Sequence, residues 1–108
     1  MGYNQPDIYE NPERFGLEIV GDLAFEHGYE YDILVVFREK DTGRIGVARD
    51  SGCSCNSPFE YYNNVEDIEF DEPWRIALRI QEQANAAKDY RDFSDNDVVH
   101  LIDKVVNA

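Results

Sequence analysis

The sequence predicts an α+β domain: a three-stranded antiparallel β-meander followed by two amphipathic helices packed on one face. Three observations lead there. The first half carries β-type patterning broken by turn residues, the second half switches to a helical period, and 108 residues with 43% hydrophobic content suit one core. The single domain 1–108 divides into an extended N-terminal arm (1–14), the meander (15–50), a Cys-containing acidic loop (51–72) and the helices (73–107).

Pro6 and Pro12 block regular structure in the tyrosine-bearing arm. Leu17, Ile19, Gly21, Leu23 and Phe25 then alternate with Glu18, Val20, Asp22, Ala24 and Glu26, a period-2 signal for a strand with one buried face and a bulge at Gly21. His27-Gly28 marks a turn. Tyr31 to Arg38 contains Ile33-Leu34-Val35-Val36-Phe37, apolar on both faces, which makes it the central strand. Lys40-Asp41-Thr42-Gly43 reads as the next turn, and Arg44 to Asp50 returns with Ile45 and Val47 on one side.

Asp71-Glu72-Pro73 opens the first helix with a cap candidate, an acid and an early proline. Ile76, Ala77, Ile80, Ala84 and Ala87 share one helical face, flanked by Trp74 and Leu78, with Arg75, Arg79 and Glu82 opposite. Ser94 caps the second helix, Asp95 and Asp97 suit the positive end of its dipole, and Val98, Leu101, Ile102, Val105 and Val106 form its buried stripe. The sheet needs this cover, since three strands alone are marginal.

The net charge of −13 is concentrated in two segments: residues 1–35 carry −7 and residues 56–73 carry −6. A field of that sign repels phosphate backbones, so direct nucleic-acid binding is disfavoured and a basic partner is favoured. No window is apolar enough to span a bilayer, which leaves no membrane role, and the chain starts without a basic and apolar leader. Two cysteines one residue apart make no disulfide scaffold, and the expectation is a soluble protein of a reducing cytoplasm.

Several fragments resemble catalytic or metal motifs without completing them. Asp41-Thr42-Gly43 matches the aspartic-protease tripeptide but sits between Lys40 and Arg44, as a turn would. Asp95-Asn96-Asp97 starts like a calcium loop but lacks its glycine and its closing glutamate. His27 and His100 lack any paired spacing. Neither a cofactor nor a catalytic residue is assigned, and the expectation is a protein that is not an enzyme.

The segment Asp50 to Glu60 concentrates Gly52, Cys53, Cys55 and Pro58 in one irregular stretch. The reading preferred is a structural loop in which the cysteines are small semi-apolar packing groups and Gly52 permits a tight backbone. The alternative is a zinc- or thiol-dependent site centred on Cys53 and Cys55, for which zinc would need two further ligands. At this loop the chain resembles small uncharacterised proteins of actinobacterial phages, through Gly52-Cys53-Ser54-Cys55 and Pro58-Phe59-Glu60. The resemblance covers about residues 15 to 62 and carries no assigned activity. It implies expression in an infected bacterium, where small acidic proteins bind host machinery.

Phe59, Glu60, Tyr61, Tyr62, Glu66, Asp67 and Glu69 are the partner-binding candidates, because amphipathic aromatics rimmed by acids suit a basic host protein. The same aromatics are equally able to tuck onto the sheet's second face, over Val20, Leu34 and Val36. A non-catalytic acidic protein-binding module is the function this predicts, with a DNA-mimic inhibitor of a nucleic-acid-binding protein as an alternative mechanism.

Overall fold

The computed structural model describes residues 6–25, 30–53, 57–87 and 93–108. Four strands form one antiparallel sheet in sequential order: β1 (Leu17–Ala24), β2 (Glu30–Glu39), β3 (Ile45–Cys53) and β4 (Glu69–Asp71). Helices α1 (Pro73–Ala86) and α2 (Asp95–Val106) follow. The α+β class and the order of sheet then helices are as expected, and the number of strands is corrected from three to four. β4 and the last three residues of β3, Ser51-Gly52-Cys53, which pair with Asp32, Tyr31 and Glu30, lie inside the stretch 51–72 that reads as loop. Three residues, Glu69-Phe70-Asp71, offer a single apolar position, too few for a period-2 signal.

The register explains how one sheet closes two separate cores. Val35 pairs with Ala48 and Phe37 with Gly46, whereas Leu34 pairs with Arg49 and Val36 with Val47. Directly opposed residues share a face. Leu34, Val36, Ile45 and Val47 therefore face the helices, packing with Ile76, Ile80, Ala84, Val98, Leu101 and Val105. Val35, Phe37 and Ala48 face the other way, with Ile8, Leu17, Phe59 and Ile68.

β1 contributes to both cores although its apolar residues are all odd-numbered. Leu17 and Ile19 pair with Glu39 and Phe37, but after an irregularity between Ile19 and Gly21, Leu23 pairs with Leu34. A bulge adds one unpaired residue and reverses the parity of everything beyond it. Leu17 thus belongs to the second core and Leu23 and Phe25 to the helix-side core, which corrects the expectation of one buried face for this strand. The bulge expected at Gly21 falls one residue earlier, at Val20, and Gly21 itself pairs with Val36. A Cβ on Gly21 would stand 2.7 Å from Leu101 Cδ1, so the missing side chain lets α2 sit close on the strand.

Both helices begin as the sequence implies. Pro73 occupies the first turn of α1, whose cap position is Glu72 rather than Asp71. Ser94 caps α2 in a reciprocal box: its hydroxyl accepts from Asp97 N at 3.2 Å and Asp97 Oδ2 accepts from Ser94 N at 2.9 Å. Two apolar positions differ from expectation. Val106 is 50% exposed, since it follows the buried Val105 by about 100° of helix. Trp74 and Leu78, 60% and 52% exposed, point away from the core instead of flanking it.

The hairpin between β2 and β3 turns at Lys40–Gly43, where Gly43 N–H donates to Glu39 O at 2.7 Å and Arg44 pairs with Glu39 at 2.8 Å. Asp41-Thr42-Gly43 is an exposed turn at its tip. The turn at His27-Gly28 falls outside the described residues. The N-terminal arm is not extended as expected: a 3-10 helix runs from Pro12 to Phe15, opened rather than blocked by the proline at its start, and Ile8 is fully buried.

Candidate functional site

The acidic loop and the N-terminal arm together wall the second face of the sheet, and Asp50 holds them there. Asp50 pairs with Ile33 and so projects onto that face. Its Oδ2 accepts from Phe59 N at 2.7 Å and from the Tyr31 hydroxyl at 3.2 Å. A charged acceptor makes these bonds stronger than neutral ones. Gly52 permits the arrangement, because a Cβ there would meet the Tyr31 hydroxyl at 2.8 Å.

Phe59 is the plug of this wall. It is completely buried, with ring centroids 5.2 Å from Tyr9 and 4.9 Å from Tyr62. It is also the one non-glycine residue with positive φ (65°) among the described residues. That conformation costs about 1 kcal/mol or more for a residue with a Cβ. Burial of a phenyl ring, at roughly 2 to 3 kcal/mol, offsets it.

The remaining candidates divide between structural and exposed positions. Tyr62 is half-buried and its hydroxyl donates to Arg49 O at 3.1 Å. Glu60 accepts from Ser57 N at 2.9 Å, closing the turn that contains Pro58. Asp67 accepts from Asn64 N at 3.2 Å and completes a capping box on the 3-10 helix Val65–Asp67. Glu69 projects to the helix side of the sheet and pairs with Arg79 of α1. Tyr61 is 81% exposed, and Glu66 is also exposed, bonded through its backbone amide to Asn64 Oδ1 at 3.0 Å.

The arm is tied to this same loop. Ile8 N–H donates to Tyr62 O at 3.0 Å, and Asn63 Nδ2 donates to Pro6 O at 2.9 Å. Asp7 is buried, its Oδ1 accepting from Tyr9 N at 2.9 Å and Glu10 N at 2.7 Å, so the arm's turn is satisfied locally. The aromatics do cover the second face, but over Val35, Phe37 and Ala48; the expected floor of Val20, Leu34 and Val36 belongs to the helix side. Counting alternate residues from the central strand cannot say which parity meets the helices.

Burial, with Asp50 second, raises the Tyr31 phenol above its ordinary value. Tyr62 is raised by burial, then by Asp50 and Asp67, and Tyr9 by burial, then by Asp22 and Glu10. Each of the three phenols therefore keeps its proton to higher pH in the folded chain than in an open one.

On the helix side, Arg49 has a matching structural part. It makes a two-pronged pair with Asp32 at 2.7 and 2.8 Å, donates to Gln83 of α1 at 2.6 Å, and lies 3.9 Å over the Phe25 ring. Adjacent residues Arg49 and Asp50 thus fasten opposite covers to one strand.

Cys55 and the Cys53 side chain lie outside the described residues, so the zinc and thiol readings acquire no geometry. Among the described residues no group of three or more His, Cys, Asp or Glu is placed to hold a metal ion. No described helix is long and apolar enough to cross a membrane. Sequence reasoning missed Asp50 as the hub, for which an acid at a strand end gives no special signal, and the outward pair Trp74 and Leu78. Their spacing of four residues, with Trp74 about 200° around from Ile76, was a usable signal.

The fold and site define a small acidic α+β domain with a helix-covered and a loop-covered sheet face. The chain belongs to the family described as a domain of unknown function, DUF7574, whose model matches residues 6–108. No curated protein and no solved structure matches it.

Proposed function

We propose that this domain is a non-catalytic protein-binding module that engages a basic partner through the outward side of the acidic loop, with Tyr61 as its aromatic anchor. The observation that carries this reading is the placement of Tyr61. It is 81% exposed between Phe59, which is buried, and Tyr62, whose hydroxyl is bonded to the strand. A large aromatic carried on a turn fastened on both sides spares binding the cost of ordering the backbone beneath it. Glu66 is exposed in the same segment, whose six acids are accompanied by no base.

Docking is favoured over imitation of a phosphate row. Mimicry needs evenly spaced free carboxylates, yet Asp67 is used in a cap, Glu69 in a pair with Arg79, and Asp71 Oδ1 in a bond from Glu72 N at 2.8 Å. The resemblance to phage proteins supports a host protein as the partner. Capture from host lysate with the full chain, followed by kinetics on the captured species, tests the reading. Tyr61→Ala is expected mainly to speed dissociation and Glu66→Gln to slow association, the latter more at low salt. Capture unaffected by both substitutions would place the interface elsewhere.

A further inference from the structure

We propose that a second copy of this chain pairs with the free edge of β1, extending the sheet through a two-fold axis. The two edges of the sheet are unequal. β4 is three residues long, whereas β1 is eight and, among the described residues, has β2 as its one strand neighbour. Phe25 N–H donates inward to Asp32 O at 2.7 Å. Alternation along an antiparallel ladder then turns the N–H and C=O of Asp22 and Ala24 outward. Unpaired main-chain groups of this kind are a template for another strand.

These groups open into a groove of about 380 Å³ between β1 and α2, lined by Gly21 to Ala24 and by Asp97, His100, Leu101 and Lys104. The groove commits to an extended chain by its backbone and to a second copy by its charges. Asp97, His100 and Lys104 fall on one side of α2 at spacings of three and four residues. A two-fold axis through the groove runs two α2 helices antiparallel, which sets Asp97 of each copy against Lys104 of the other, with the His100 side chains near the axis. Such a pattern is self-complementary, as an isologous interface requires. A foreign basic strand would meet Lys104 without this compensation.

The strands accept the same axis. With Leu23 on it, Asp22 stands opposite Ala24 of the second copy, so the two Asp22 carboxylates are not directly opposed. The bulge between Ile19 and Gly21 limits the paired stretch to the residues after it. The charge of −13 per chain opposes association, which makes pairing dependent on concentration and stronger at moderate salt.

Sedimentation equilibrium of the full chain from micromolar to millimolar concentration, at moderate salt, tests this. The expected result is a reversible change from 12.5 kDa toward twice that mass. Ala24→Pro removes an outward donor without touching the bonds to β2, and Lys104→Glu sets like charges against each other. Each should weaken the dimer by at least about tenfold, and circular dichroism checks that each variant is folded. Lys104 is an exposed residue in the last turn, so its variant reads association even where Ala24→Pro fails to fold. A wild-type chain monomeric throughout, or a dimer indifferent to Lys104→Glu, would overturn the proposal. So would a monomer whose Asp22 and Ala24 amides become protected only on adding a lysine-rich extended peptide.

Discussion

The two faces of the sheet are closed by different means. On one, α1 and α2 place Ile76, Ile80, Val98, Leu101 and Val105 by a helical period, and their backbone groups are satisfied within the helices. On the other, the cover is irregular chain, whose backbone groups need partners of their own. Asp50 supplies one to Phe59, Asn64 and Asp67 supply others, and the arm bonds to the loop at Tyr62. A loop can thus serve as a core wall when polar side chains replace the internal bonding of a helix.

The largest expected effect tests whether the loop-covered face is a true core. Val35 is fully buried there, so Val35→Asp should abolish cooperative unfolding as followed by circular dichroism. A variant melting like wild type would contradict the strand assignment. Next, Phe59→Ala should lower stability by about 3 to 5 kcal/mol in chemical denaturation, comparable to Ile80→Ala at about 2 to 5 kcal/mol on the helix side. A loss below about 1 kcal/mol at Phe59 would demote the loop from wall to ornament.

Asp50→Asn keeps the shape but weakens the acceptor, and a loss of about 1 to 3 kcal/mol is expected. The tyrosines sharpen the contrast through pH. Their folded pKa values are raised above the unfolded value, so this stability is fully present below about pH 10 and is lost as pH rises through the folded values. Denaturation curves should show the decline on the alkaline side, and Tyr31→Phe should lessen it. The smallest effect is at Tyr61, whose exposure predicts that Tyr61→Ala changes stability by no more than about 0.5 kcal/mol.

Much of the helix-covered half was legible because periodicity reports it directly. The central strand, the hairpin at Gly43, the Ser94 cap and the buried stripes of both helices all carry local signals. What periodicity does not carry is parity across a bulge, which sets Leu17 and Leu23 in different cores although both are odd-numbered. β4 was too short to show a period. In the candidate site, the cluster Phe59 to Glu69 stood out by composition, but composition does not say which aromatic turns inward. That choice depends on Phe59 entering a left-handed conformation and on a carboxylate nine residues earlier in the chain.

Native-state hydrogen exchange measured by NMR tests whether arm and loop form a fixed wall. The amide of Phe59 donates to Asp50 and that of Ile8 to Tyr62. Both should be protected to nearly the degree of β2 amides such as Val35, and Asp50→Asn should selectively release Phe59 and Ile8. Exchange of Phe59 and Ile8 at the rate of an open chain, with β2 still protected, would mean that arm and loop do not form a fixed wall.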